Sequence, residues 1–232
     1  MRVPRRNLLP RTLGWGALLL VLVAWVLPPE RAVRELVRVR ARQLPVRAEA
    51  IVIGGDPRWP EELRFELHPD YGVRVSSDQG GRWLFVGGRP AGHASQEPPA
   101  WLPDLAGLVL RDEEGLLDWL DGLGVDPERS QLARCGDDDC FVLGGRNREG
   151  QVWVDKERFE IRRVVRPGGR VLEISTYTDW GRLRFPGTFR IQGPAGPIAT
   201  IEVVRAQPAR DLAAEDFTLE WLMGAQAERG GR

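Results

Sequence analysis

The last third of the chain alternates between strand-like segments and turn residues, and this pattern constrains the fold more than any other sequence feature. Apolar Ile201 and Val203 flank polar Glu202, which is the alternation of a half-buried strand. The GPAGP stretch at 193–197 is typical of a hairpin tip. Residues 151–221 are therefore predicted to form one antiparallel meander. Its segments are QVWVDKERFEIRRVV, GGRVLEISTYTDW, GRLRFPGTFRIQ, GPIATIEVVRA and DLAAEDFTLEW.

Shorter strand patterns lie upstream of the meander. They fall at 46–53, 63–67, 72–76 and 82–86, and strands resume after Arg129. The stretch 90–99 is rich in Gly, Pro, Ser and Ala and is interpreted as a loop. The total of about ten or eleven short strands is more than one flat open sheet holds easily. The predicted fold class is therefore mainly β with helices (α+β), built on a strongly curved antiparallel sheet or incomplete β-barrel.

Helical spacing occurs in the body of the chain at two places. Residues 30–43 place Val33, Leu36 and Val37 on one side and arginines on the other, and Pro45 ends this amphipathic helix.

The second helical region is an insert between the strands. Leucines recur at helical spacing in 101–110 and 113–123, and Asp112 is a candidate N-cap for the second of these helices. The insert, at about 100–124, is predicted to cover or plug the sheet.

The N-terminal segment combines a basic flank with an apolar run. Arginines precede the run at 12–27, which is shorter than the roughly 20 apolar residues of a comfortable spanning helix. Residues 1–29 are therefore predicted to be a signal peptide for export or an uncleaved N-terminal membrane anchor. The globular body spans 30–223, and 224–232 is expected to be a flexible polar tail. The formal net charge of +0 provides no basic footprint for nucleic acid.

Cys135 and Cys140 are the only cysteines, and they flank the turn-like GDDD sequence. Strand-like residues on both sides predict a hairpin whose mouth the two cysteines would bridge as a structural disulfide. A metal site using both thiols and Asp137, Asp138 or Asp139 is a weaker alternative, because no histidine lies nearby. A redox-active pair is weaker still, because the C-x-x-C spacing is absent.

Nothing in the sequence nominates a catalytic site. His68 and His93 are the only histidines, and neither has the spacing to a serine and an acid that would name a triad. Phosphate-binding and zinc-protease motifs are absent from the sequence. The chain is therefore expected to bind rather than to catalyse, with no catalytic residue, metal or cofactor.

Aromatic residues are more informative about function than the histidines are. Seven tryptophans lie outside the leader, and most belong to predicted strands or to the helical insert. Two interpretations stay open: ordinary core packing, or the apolar lining of a cavity for a flexible ligand such as an acyl chain.

The order of these parts resembles the LolA/LolB-like superfamily of periplasmic lipoprotein carriers. Three matches support the resemblance: QVWVDKERFEIRRVV is similar to the family's strand-turn-strand, GTFRIQ–GPIATIEVV to its hairpin, and DLAAEDFTL to its ending, where an Asp-Phe pair enters a final short strand. The resemblance implies a half-closed barrel with a helical lid that an arginine holds, and an apolar interior for acyl chains. The arginine is not identifiable among so many. The expected cavity-lining residues are Phe65, Trp83, Phe85, Trp101, Trp119, Trp153, Ile161, Tyr177, Phe185, Phe189, Ile201 and Val203.

Two functional hypotheses follow from the resemblance. The first is a periplasmic carrier or chaperone for lipid or lipoprotein acyl chains, working with inner- and outer-membrane components of a lipoprotein sorting route. The second is an envelope sensor or scaffold, retained at the inner membrane by its anchor, that binds a protein partner with the same fold. Processing of the leader distinguishes them, because an anchored protein cannot cross the periplasm freely.

Overall fold

The computed structural model describes residues 28–41, 43–57, 59–87, 89–108, 110–145 and 149–223. The predicted leader through residue 27 and the predicted tail at 224–232 lie outside the described residues. The described residues include the α-helices α1 (Pro29–Arg40) and α2 (Glu113–Gly122), a short helical stretch at 219–223, and the 3₁₀-helices η1 (Leu102–Leu108) and η2 (Ala214–Phe217). The strands are β1 (Val46–Gly54), β2 (Glu62–His68), β3 (Gly72–Ser77), β4 (Arg82–Val86), β5 (Arg89–Ala94), β6 (Ser130–Cys135), β7 (Asp138–Leu143), β8 (Gln151–Asp155), β9 (Ile161–Val165), β10 (Val171–Trp180), β11 (Leu183–Gly193) and β12 (Gly196–Pro208).

All twelve strands form one antiparallel sheet in the order β5-β4-β3-β2-β1-β12-β11-β10-β9-β8-β7-β6. Chain neighbours pair throughout, except that β1 also pairs with β12 and that β5 and β6 form the two edges. The predicted mainly-β, curved and incompletely closed sheet is confirmed. The helical insert joins the two edges, so η1 and α2 (together called the cover below) pass from one side of the opening to the other.

The main core lies between the sheet and the helices. Alternate residues of the strands point inward, as Val46, Ala48 and Ala50 do on β1, and each is almost completely buried. Helix α1 contributes Val33 and Leu36 to the same core. The cover adds a large apolar group: Trp101, Leu102, Leu105, Leu108, Leu116, Trp119 and Leu120.

A second, smaller core lies on the opposite face of the sheet. Leu84 of β4 packs there with Ala209, Leu212, Phe217 and Leu222 from the C-terminal segment. The segment after β12 therefore folds back over the outside of the first strands. Within the described parts of the chain, no helix has the length and apolar character needed to cross a membrane.

Three details of the sequence-based prediction are wrong. The predicted loop at 90–99 contains strand β5, which pairs with β4 through its main chain. The predicted final strand in DLAAEDFTLEW is instead η2 followed by helical residues at 219–223. There the Asp216 carboxylate accepts a hydrogen bond from the Ala213 amide at 2.9 Å, which stabilises a turn. The described residues form twelve strands, against the ten or eleven predicted.

The two predicted helical regions are present with adjusted bounds. Helix α1 ends at Arg40, three residues before the predicted end. The first half of the insert is a 3₁₀-helix, whereas the second is the predicted α-helix. Its N-cap is Asp112, whose carboxylate accepts a hydrogen bond from the Gly115 amide at 2.6 Å, as predicted.

Candidate ligand-binding site

The residues expected to line a cavity lie mostly on the concave face of the sheet and on the cover. Ten of the twelve are buried in the main core, where sheet and cover residues pack against one another. They are Phe65, Trp83, Phe85, Trp101, Trp119, Ile161, Phe185, Phe189, Ile201 and Val203. Tyr177 is partly buried and packs against the same core. Whether these side chains contact a ligand stays a prediction.

Trp153 lies on the other face of the sheet. Its neighbours Val152 and Val154 belong to the main core, so the intervening side chain points outward. The Trp153 indole nitrogen donates to Gln151 Oε1 at 3.0 Å, and the Arg163 guanidinium lies 5.4 Å from the centre of a Trp153 ring. The structure thus separates Trp153 from the eleven residues above.

One pocket opens beside the main core, where α1, the end of η1 and strands β9 to β11 meet. It has a volume of about 330 Å³ and is called the mouth pocket here. Its lining residues are Val39, Arg40, Gln43, Leu44, Leu108, Arg158, Phe159, Glu160, Ile161, Tyr177, Arg182, Leu183 and Arg184. The pocket contains two of the predicted cavity residues, Ile161 and Tyr177, and it touches both the sheet and the cover.

Arg40 connects α1 to the cover from the mouth pocket. Its side chain is buried, with 6% of the residue exposed. Its Nη1 group donates hydrogen bonds to the carbonyl oxygens of Gly107 and, at 3.4 Å, Leu110. Burial lowers the pKa of Arg40 to about 10, and the side chain is still protonated at neutral pH. Arg40 therefore makes the kind of arginine-to-lid contact that the family resemblance implies.

The position of Arg40 in the sequence indicates its role, but the large number of arginines in the chain made it difficult to recognise. Arg40 follows Leu36 by four residues and Val33 by seven, so it lies on the apolar face of α1 rather than on the arginine-rich face. A cation at such a position is buried when the face packs, and it then needs acceptors. Here the acceptors are main-chain carbonyls of the cover.

Further polar contacts fasten the cover to the sheet, and two of them involve η1 and the segment that follows it. Arg166, after β9, forms an ion pair with Asp104 of η1 (Nη2–Oδ1 2.6 Å), and burial raises the pKa of Asp104 despite this partner. Arg111 lies between η1 and α2, and its Nε donates to Asp70 Oδ1 at 2.8 Å. These contacts lie on different sides of the cover. The cover is thus held by a few discrete polar contacts as well as by apolar packing.

The cover also contains close packing and unsatisfied donors. A Cβ atom at Gly107 would lie 2.2 Å from the Trp119 indole, so only glycine fits there without movement. The indole N–H groups of Trp101 and Trp119 are buried and have no hydrogen-bond partner among the described residues. A buried indole N–H without a hydrogen-bond partner costs about 1–3 kcal/mol.

Tyr177 forms a polar wall of the mouth pocket. Its hydroxyl donates to the Ile161 carbonyl at 2.9 Å, and burial raises its pKa above the ordinary range. Arg184, on the neighbouring strand, pairs with Glu160 at 2.5 Å and with Asp179 at 3.1 Å. The phenol is neutral at physiological pH, and Glu160 and Asp179 balance the charge of Arg184. These groups therefore shape the wall of the pocket.

Cys135 and Cys140 form the predicted disulfide, which links β6 to β7 across a tight turn. Both sulfur atoms are therefore bonded to each other rather than available to a metal. His68 stacks on Tyr71 with ring centres 4.1 Å apart, and its Nδ1 accepts a hydrogen bond from the Asp70 amide at 3.1 Å. His93 is exposed on edge strand β5. The two histidines lie outside the mouth pocket.

Comparison with known proteins gives a likeness of fold. A LolA superfamily protein from Nitrosomonas europaea superposes with a TM-score of 0.53 at 14% identity, over 85% of this chain and all of that chain. A domain from Vibrio parahaemolyticus named for outer membrane lipoprotein sorting gives 0.49 at 14% identity, over 82% and 96%. A DUF1329 family protein from Desulfovibrio piger gives 0.46 at 14% identity, over 84% and 97%. No family model and no curated protein matches the sequence. The first comparison confirms the LolA-like fold.

Proposed function

We propose, from the premise of a LolA-like fold, that this protein is a periplasmic carrier or chaperone that shelters acyl chains on their way towards the outer membrane. Its cargo is lipid or the acylated end of a lipoprotein. The protein binds this cargo and does not transform it. The leader supplies export, and sorting components of the two membranes would donate and accept the cargo.

The observation that carries the proposal is the apolar concave face with a separate cover upon it. The sheet contributes Phe185, Phe189 and Ile201 to an apolar surface that belongs to the same core as the apolar residues of the helices. Burying an acyl chain contributes about 0.8 kcal/mol per methylene, so this surface could hold one without polar recognition. If part of the cover moved away from the sheet, an acyl chain could take its place and restore the lost apolar contacts.

The attachment of the cover to the rest of the protein supports the proposal that an acyl chain can displace it. It joins the two open edges of the sheet, and its main polar fastenings are Arg40, Arg111 and the Asp104–Arg166 pair. The mouth pocket lies beside the Arg40 contact and reaches both Leu108 of the cover and Ile161 of the sheet. We take this pocket as the entrance through which an acyl chain reaches the concave face.

Native mass spectrometry tests the proposal. The full-length protein is expressed, recovered from the cell envelope and examined for lipid that leaves on mild activation. It is then titrated with dodecanoate while an apolar fluorescent probe reports occupancy. The proposal predicts co-purified lipid and displacement of the probe.

Absence of lipid together with absence of displacement would contradict a carrier and would favour the partner-binding alternative. The N-terminus of the recovered protein adds a second criterion. A mature chain that begins after the leader agrees with a shuttle, whereas a retained 12–27 segment agrees with an anchored protein.

A further inference from the structure

The mouth pocket combines apolar surface with an excess of positive charge. Its apolar part includes Leu44, Leu108, Phe159 and Leu183. Among the described residues that line it, the charged part holds four arginines against a single carboxylate, that of Glu160. This composition differs from that of a pocket built for a neutral hydrocarbon, which needs no cation.

Arg40 is the most buried of these cations. Among the described residues no carboxylate forms an ion pair with it, and both of its hydrogen bonds go to neutral carbonyls. A buried charge without a counter-charge is unfavourable, and a nearby anion stabilises it strongly because screening by water is weak. The charge of Arg40 thus favours a ligand that brings an anion to the mouth pocket.

Two more arginines stand at the rim with their charges unbalanced. Arg158 and Arg182 are exposed, and within the described part of the chain neither side chain forms an ion pair. Arg184 differs, because Glu160 and Asp179 both bind it. The rim therefore presents two guanidinium groups that are free to bind an anion at the opening of an apolar pocket.

From this arrangement we infer that the mouth pocket recognises an amphiphile with an anionic head group, a phosphate or carboxylate, attached to an acyl chain. The head group binds Arg158 and Arg182 at the rim, and its charge faces Arg40. The chain follows the apolar wall towards Ile161 and the concave face. This inference rests on the proposed function and adds selectivity for charge to it.

The experiment compares ligands that share a chain and differ in head group. Dodecyl phosphate, dodecanoate and dodecanol displace the apolar probe from the full-length protein at constant ionic strength. The two anions are expected to bind about tenfold more tightly than the alcohol, as befits charge-assisted hydrogen bonds. Inorganic phosphate at millimolar concentration, matched in ionic strength with chloride, is expected not to displace dodecanoate.

The variant Arg158→Gln/Arg182→Gln isolates the rim, and Arg190→Gln is its matched control. Arg190 is exposed on β11 outside the mouth pocket. The double variant should lose about fivefold in affinity for the anions and keep its affinity for dodecanol, since exposed ion pairs are individually weak. The control should retain both affinities.

The outcomes separate the inference from the function on which it rests. Equal affinity for alcohol and anions, or an unchanged preference in the double variant, would overturn the head-group inference and leave acyl-chain binding intact. Competition by inorganic phosphate would indicate a site for a free anion and would also overturn it. Failure of all three dodecyl ligands to bind would refute the carrier function itself.

Discussion

Asp104 and Arg166 form an ion pair of 2.6 Å in which the carboxylate is almost completely buried and the guanidinium is about one-quarter exposed. Asp104 belongs to η1 of the cover, and Arg166 follows β9 of the sheet. The Arg166 Nη1 group also lies 3.4 Å from the Gly122 carbonyl at the end of α2. One side chain therefore fastens both helices of the cover to the connection between β9 and β10.

The first prediction concerns the loss of this arginine. Arg166→Gln leaves the Asp104 carboxylate buried without its partner, which should lower the free energy of unfolding by about 2–3 kcal/mol at neutral pH. The double variant Asp104→Asn/Arg166→Gln should recover at least half of that loss, because the unpaired charge is gone. Urea denaturation of the wild type, the single variants Arg166→Gln and Asp104→Asn and the double variant measures the coupling energy of the pair. A coupling energy of zero would show that the pair is energetically unimportant.

The second prediction concerns pH. Burial raises the pKa of Asp104 above its usual value of 3.8, with Arg166 acting in the opposite direction. The folded state thus binds the proton more readily than the unfolded state, so the contribution of Asp104 to stability falls as pH rises from 3.8 through the folded pKa. Compared with Asp104→Asn, the wild type should lose unfolding free energy over that window. An increase in the unfolding free energy of the wild type relative to the variant over this pH window would contradict the prediction.

The third prediction uses two glycines of the cover. Gly107→Ala places a methyl group against the Trp119 indole and should cost about 1–3 kcal/mol of unfolding free energy. Gly122→Ala, at the end of α2, meets nothing within 4 Å and should be neutral or stabilise by up to about 1 kcal/mol. Thermal unfolding of both variants provides the comparison. Similar losses in both would contradict the packing described for Gly107 and Trp119.

The fourth prediction concerns the hydrogen bonds from Arg40 to the cover, which are called the latch here because they hold the cover closed. Arg40→Gln removes the charged donor that binds the Gly107 and Leu110 carbonyls, so the cover should open more often. Amide hydrogen exchange in η1 and α2 should accelerate about tenfold, since a charge-assisted hydrogen bond is worth a little over 1 kcal/mol. The matched control is Arg34→Gln, on the exposed face of the same helix. Unchanged exchange in the cover, or equal changes in both variants, would refute the latch.

Much of the sheet was predictable because local alternation encodes it. The strands around Ile201 and Phe185 alternate clearly, and glycine-rich turns separate them. Strand β5 was missed because Pro90, Gly92 and Ala94 provide no apolar alternation, while the main chain of β4 supplies its pairing. The pairing of β1 with β12 joins distant parts of the chain, and no local pattern encodes it.

The apolar character of the candidate site was predictable from the sequence, but its exact lining was not. Inward aromatic residues such as Phe65 and Phe189 follow from strand periodicity, and they lie where it places them. Trp153 lies on the opposite face of the sheet because the register of β8 points its neighbours inward. The mouth pocket depends on the meeting of α1, η1 and β9 to β11, which only tertiary structure brings together.

Photolabelling tests the central claim, sheltering of an acyl chain on the concave face, most directly. The full-length protein is mixed with a fatty acid that carries a diazirine at its methyl end, irradiated, digested and mapped by mass spectrometry. The account predicts adducts on concave-face residues such as Phe185, Phe189 and Ile201, which excess dodecanoate suppresses. Adducts confined to outer-face residues such as Ile51 and Val204, or no competable adduct at all, would contradict it.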